Sequence, residues 1–104
     1  MKNHTYRYEK SYHLWEKATT LLLDGVTTLS KSPFSIGYGC SPVYVDRAKG
    51  AYFWDCDGNR YIDYPLALGP IVLGHAYDEV DNAVKKQMRK GFLYSLSSIL
   101  ELNL

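Results

Sequence analysis

Residues 43–63 read VYVDRAKGAYFWDCDGNRYID, and this stretch decides the fold. Three β-branched and aromatic runs, Val43-Tyr44-Val45, Ala51-Tyr52-Phe53-Trp54 and Tyr61-Ile62-Asp63, are separated by Lys49-Gly50 and by Asp57-Gly58-Asn59. Short runs of this composition divided by turn residues predict a three-stranded antiparallel meander. Asp-Gly between two of them predicts a type I′ turn, in which both central residues need positive φ. The same Asp and Asn oxygens superficially open a calcium loop. An EF-hand, however, needs Gly at its sixth position and Glu at its twelfth, whereas Gly58 is fourth from Asp55 and Leu66 is twelfth, so the hairpin turn is the reading that stands.

Upstream, Leu14, Trp15, Ala18, Leu21 and Leu22 recur at three-and-four spacing, which predicts an amphipathic helix over 11–24 with Gly25 as its cap. Thr27 to Ser41 mixes Ser, Thr, Gly and Pro with isolated aromatics and predicts an extended surface segment. Downstream, residues 65–74 read PLALGPIVLG, where two Pro and two Gly exclude regular helix or a central strand and leave irregular backbone. A second helix is expected from Asp78, acting as its cap, to Lys90, with Val80, Val84 and Met88 on one face and Gly91 as the stop. Lys85, Lys86, Arg89 and Lys90 then sit near the negative end of its dipole and need no ligand to explain them. Ser98 followed by Glu101 predicts a capping box opening one more helical turn.

The chain has 104 residues, enough for one small domain. With 12 Lys and Arg against 11 Asp and Glu, its net charge is +1, so no broad field draws in nucleic acid or an anionic membrane. No apolar run approaches the length of a membrane span and the N-terminus lacks a signal-peptide core, which predicts a cytoplasmic protein. Cys40 and Cys56 match neither a disulfide framework nor a metal knuckle and are expected to be half-buried thiols. His4, His13 and His75 have no metal-ligand spacing, no metal site is expected, and His75 reads as a structural hydrogen-bonding group. Nucleophile elbow, Walker loop and dinucleotide fingerprint are all missing from the sequence.

Ten tyrosines suit surfaces that become covered. Three short strands and two or three helices also give a chain of this size little means of enclosing its apolar faces, so the expectation is a part of something larger.

The stretch from Ser41 to His75, with its KGAYFWDCDGNRYIDY meander, the Gly69-Pro70 pair, the VLGH ending and the following DEVDNAVKKQ helix, resembles the N-terminal part of class III pyridoxal-phosphate aminotransferases. Within that family it is most similar to the glutamate-1-semialdehyde 2,1-aminomutase-like branch. The resemblance implies a fold type I transferase, α/β when complete, of which this chain is an α+β N-terminal segment of helix, three-stranded antiparallel meander and helix. On that reading residues 1–40 form the N-terminal helix and an extended interface segment, 41–75 the meander and a substrate-mouth loop, and 76–104 a helix and the start of the cofactor domain. It implies pyridoxal 5'-phosphate as cofactor, a small-molecule amino donor and carbonyl acceptor as substrates, and a homodimer, with no nucleic acid or membrane partner. The Schiff-base lysine is expected beyond Leu104, so the chain itself is expected to carry no catalytic residue and to be inert alone. Ser35, Leu68, Gly69 and Pro70 are the substrate-binding residues the resemblance implies. Aminomutases carry Arg and Trp where this sequence has Ser35 and Leu68, and a hydroxyl does not replace a guanidinium fork around a carboxylate. That points toward amino transfer on a larger, less acidic carbonyl compound, such as a sugar. Intramolecular amino migration and a non-catalytic module docking on an intact subunit are the alternatives.

Overall fold

The computed structural model describes residues 6–103. Helix α1 (Glu9–Ala18) leads through 3₁₀ turns to the short α2 (Pro33–Ile36), then to strands β1 (Val45–Lys49), β2 (Tyr52–Asp55) and β3 (Arg60–Ile62). A turn at Leu66–Leu68, helix α3 (Asp78–Met88) and a 3₁₀ turn at Ile99–Leu102 complete the order.

The predicted meander is present, antiparallel and ordered β1-β2-β3. Cross-strand pairing sorts its faces. Arg47, Trp54 and Arg60 are neighbours on one side, where the Arg47 guanidinium lies 3.7 Å from the Trp54 ring centre and Arg60 lies 4.9 Å from that of Tyr52. On the other side Phe53 stacks on Tyr61 at 4.9 Å, and Tyr61 on Tyr6 at 5.2 Å.

The second hairpin does not use a type I′ turn. Among its loop residues only Gly58 has positive φ, 87°. The Gly58 amide donates to the Asp55 carbonyl at 3.1 Å, and the Asp55 amide donates to the Asn59 carbonyl at 3.0 Å. This is the three-residue loop in which a type I turn is followed by a left-handed residue. Asp57 is thereby freed from the positive φ expected of it, and its carboxylate reaches α1. Its Oδ1 accepts from the Lys10 amide and its Oδ2 from the Ser11 amide, both at 2.8 Å. The helix N-terminus, which has no side-chain cap of its own, is capped by a residue from the hairpin. Asp57→Ala should therefore destabilise α1 by about 1–2 kcal/mol, the cost of a lost cap. Helical circular dichroism and amide exchange at Lys10 and Ser11 would show it, and unchanged exchange at both amides would contradict the cap.

Other boundaries moved for identifiable reasons. Helix α1 stops at Ala18 rather than Asp24, because the Thr19 and Thr20 hydroxyls donate to the carbonyls of Glu16 and Lys17 at 2.6 and 2.8 Å and compete with helix continuation. Gly25 lies past that end and does not cap it. The segment expected to be extended contains α2, started by Pro33 and capped by Ser32, whose Oγ accepts from the Phe34 amide at 3.2 Å. Strand β1 begins at Val45 because the amides of Val43 and Tyr44 donate to Ser11 Oγ instead of to a strand. In α3, Asp78 is the first helical residue rather than the cap, which is Tyr77. The Ser98–Glu101 capping box is present. Cys56 is partly buried, but Cys40 is exposed.

Among the described residues no aliphatic or aromatic side chain apart from Pro33 is fully buried, and the buried polar residues are Ser11, Ser32 and Asp55. The radius of gyration is 17.6 Å, against roughly 13 Å for a compact chain of this length. The accessible surface is 8793 Å², where a folded monomer of this mass exposes roughly 6,000 Å². Val80, Val84 and Met88, the apolar stripe of α3, all face outward uncovered. The fold is held by polar hubs and aromatic stacking rather than by an enclosed core. No helix among the described residues is long and apolar enough to cross a membrane.

Candidate functional site

The meander delivers its chain at Asp63 into the irregular segment predicted from the Pro and Gly pattern. Leu66, Ala67 and Leu68 are consecutively left-handed, with φ of 45°, 54° and 66°, and Gly69 follows at 116°. Such a turn is disfavoured for residues with a Cβ. Local hydrogen bonds close it: the Leu68 amide donates to the Pro65 carbonyl at 2.7 Å, and those of Gly69 and Ile71 donate to the Leu66 carbonyl at 3.1 and 3.3 Å. The result thrusts Leu68 outward at 85% exposure, beside exposed Gly69 and Pro70.

Asp63 stands at the base of this loop. Its Oδ1 accepts from the Leu66 amide at 3.1 Å, and its Oδ2 lies 2.5 Å from His75 Nε2. His75 is fixed in turn by a reciprocal backbone pair with Gly50, 2.9 Å in each direction. Beside it a pocket of about 290 Å³ opens between Lys49, Leu73, His75 and Asp78. Lys49 Nζ donates to the Ala76 carbonyl at 2.6 Å and to Asp78 Oδ1 at 2.8 Å, and this ammonium holds the Asp78 carboxyl below the usual carboxylate range. The larger groove of about 720 Å³ near Tyr94 and Leu100 offers mainly apolar walls and no comparable group of hydrogen-bonded charges.

Ser35 lies elsewhere in the chain, exposed on α2, with its Oγ donating to the Leu29 carbonyl at 3.0 Å. Its chain neighbour Phe34 belongs to an aromatic cluster: Phe34 stacks on Tyr38 at 5.0 Å, and Trp15 meets both edge-on at 5.7 and 5.6 Å. No hydrogen bond among the described residues joins this segment to the loop carrying Leu68, Gly69 and Pro70. Sequence reasoning singled out those four residues but missed Asp63 and the left-handed turn. The Asp63-to-His75 separation has no fixed motif, and the only signal was the density of Pro and Gly between them.

Asp55 organises the other end of the sheet. It is 1% exposed, and its carboxylate accepts from the Asp57 amide at 3.0 Å, the Asn59 amide at 2.7 Å, Asn59 Nδ2 at 2.8 Å and the Tyr61 hydroxyl at 3.0 Å. Desolvation first, then the hydrogen bonds to Tyr8 and Asp55, push the Tyr61 hydroxyl well above the ordinary tyrosine range, so it stays a donor.

A profile of the class-III aminotransferases matches residues 34–102. The chain belongs to that family. Solved structures agree with the fold of this class-III aminotransferase chain. A β-phenylalanine aminotransferase from Variovorax paradoxus is 26% identical with a TM-score of 0.75, over 89% of this chain and 20% of that one. The FumI protein of Sphingopyxis sp. MTA144, solved in its PLP internal aldimine form, is 29% identical with a TM-score of 0.79, over 91% of this chain and 22% of that one. A glutamate-1-semialdehyde aminomutase from Pseudomonas aeruginosa PAO1 is 27% identical with a TM-score of 0.75, over 91% of this chain and 20% of that one. The chain thus spans about a fifth of the length of these relatives. The helix and antiparallel-sheet architecture expected of the N-terminal segment is the one they share.

Pyridoxal phosphate needs a lysine amine, and a lysine becomes a nucleophile when it is desolvated. Every lysine among the described residues is exposed, and Lys49 is engaged by Ala76 and Asp78. These residues do not fit that group.

Proposed function

We propose that this chain is the N-terminal part of a pyridoxal-phosphate-dependent aminotransferase that moves an amino group from a small-molecule donor to a carbonyl acceptor and works as a homodimer. The cofactor, when bound, supplies an electron sink for that transfer. The observation that carries the reading is the family match, which spans the meander, the exposed left-handed loop and α3. Leu68, Gly69 and Pro70, held out by the loop, offer an apolar edge to the acceptor, and Ser35 lines the entrance. The Ser35 hydroxyl is committed to the Leu29 carbonyl, so it gives no carboxylate clamp, which favours an acceptor less acidic than glutamate-1-semialdehyde. Taken alone, the chain is inert.

The reading frame containing this chain tests the proposal. Downstream of the Leu104 codon it should encode a pyridoxal-binding lysine region, and the protein made from it should retain pyridoxal phosphate through gel filtration, whereas the isolated 104-residue chain should not. An unrelated continuation would overturn the reading and favour a docking module. In that complete protein, Leu68→Ala should raise KM for the carbonyl acceptor about tenfold, as expected for lost apolar pocket contact, with cofactor retention intact. An unchanged KM would remove Leu68 from the substrate mouth.

A further inference from the structure

We propose that Asp63 and His75 act together as positioning residues, a latch that holds the loop between them in its left-handed, outward shape. The consequence for substrate rests on the reading of this loop as the substrate mouth, but the latch itself does not.

The loop has an unusual energetic problem. Three consecutive residues with a Cβ occupy the left-handed region, where the Cβ crowds the following carbonyl oxygen. Strain of this kind persists only where the surroundings over-determine it. Packing within the chain supplies little of that determination: Leu66 and Ile71 are half-buried, but Tyr64, Leu68, Val72 and Leu73 are all exposed. The four hydrogen bonds internal to the loop, ending with the Gly74 amide on the Ile71 carbonyl, close the turn but do not anchor it to the sheet.

The anchoring contacts converge on Asp63. One carboxylate oxygen takes the Leu66 amide, at the first left-handed residue, and the other takes His75, beyond the last residue of the loop. Asp63 is itself tied to the sheet, its amide donating to the Ala51 carbonyl at 2.9 Å, while the Gly50–His75 backbone pair fixes the far end. Asp63 and His75 are both partly shielded, with 14% and 22% of their side chains exposed, so their hydrogen bond is less open to water than one on the free surface. A single side-chain pair therefore joins the start of the loop, its end and the meander. Losing it leaves the left-handed turn with only its internal hydrogen bonds, the Leu66 amide on Asp63 and the Gly50–His75 backbone pair to oppose its relaxation.

Amide hydrogen exchange on the complete protein that contains this chain, free of cofactor, tests this. His75→Ala should speed exchange at Leu68, Gly69 and Ile71 at least tenfold while Asp55 and Gly58, hydrogen-bonded at the other end of the sheet, keep their rates. Adding Ala67→Gly, which removes a Cβ from the left-handed turn, should return the loop amides to within about threefold of wild type. A general structural defect would not be repaired by a change at that position. Unchanged exchange in His75→Ala, or a double variant as fast as the single one, would overturn the latch. If His75→Ala instead exposes Asp55 and Gly58 too, His75→Gln, whose side-chain amide can still donate to Asp63, decides: loop amides within about threefold of wild type uphold the latch, and loop amides as fast as in His75→Ala overturn it. No substrate or cofactor enters the measurement, so the latch can fail while the mouth reading stands, and a flat acceptor KM in Leu68→Ala can sink the mouth reading while the latch stands.

Discussion

Asp55→Ala should unfold the tip of the second hairpin and undock α1 together, at a cost of about 3–5 kcal/mol. The magnitude follows from what the carboxylate does. Asp55 is buried and accepts four hydrogen bonds from Asp57, Asn59 and Tyr61, two of them from main-chain amides that shape the turn. Each buried donor left without a partner costs about 1–3 kcal/mol, so losing the acceptor of the two turn amides alone accounts for the range. Truncation would strand the donors in a partly dehydrated space, which is the costly direction. The damage should spread, because the turn presents Asp57 to the amides of Lys10 and Ser11 and Asn59 Nδ2 to the Arg7 carbonyl, 2.7 Å away. Trp54 in β2 and Trp15 in α1 provide separate fluorescence probes for urea titration of single-tryptophan versions. Both transitions should shift together. Asp46→Ala, which removes an exposed carboxylate from β1, should change stability by less than about 0.5 kcal/mol. Equal effects at Asp46 and Asp55, or a shift at Trp54 without one at Trp15, would contradict the hub.

The contrast between Asp55 and Asp63 shows what a sequence discloses about this chain. The meander was legible because alternation and turn residues are local signals, and α3 because its apolar spacing and terminal glycine are too. The turn type was not, since Asp-Gly permits more than one hairpin geometry and the Asp55 carboxylate, drawing in the Asp57 and Asn59 amides, selects among them. Helix α1 was overextended because periodicity counts apolar residues and ignores threonine hydroxyls that bond backward to the main chain. Asp57 capping α1 and Asp63 reaching His75 were invisible for a different reason. Both are polar contacts between segments whose separation follows no motif, and each depends on backbone geometry that exists only once the sheet has formed. Within the candidate site, Leu68, Gly69 and Pro70 were found through resemblance, while the carboxylate that holds their loop in place was found only through distances.

Gly74→Ala should cost about 2–5 kcal/mol and detach the C-terminal end of the loop from the first hairpin. Gly74 has φ of 84°, and a Cβ built there would stand 3.0 Å from the carbonyl carbon, Cα and oxygen of Gly50. Those three atoms are backbone, and they belong to the residue that exchanges hydrogen bonds with His75, so the few tenths of an ångström they must give come at the expense of that pair. The left-handed conformation adds about 1–2 kcal/mol for a residue with a Cβ, and forced overpacking about 1–3 kcal/mol more. Ala67→Gly, by contrast, acts in the stabilising direction on the same loop because there the Cβ already sits in a left-handed position. The pair makes a sharp comparison: adding one methyl at position 74 should speed exchange of the Gly50 and His75 amides by tenfold or more, and removing one at position 67 should slow exchange at Gly69 and Ile71. Wild-type protection of Gly50 and His75 in Gly74→Ala would mean that the loop's end does not press against the hairpin as the 3.0 Å contacts require.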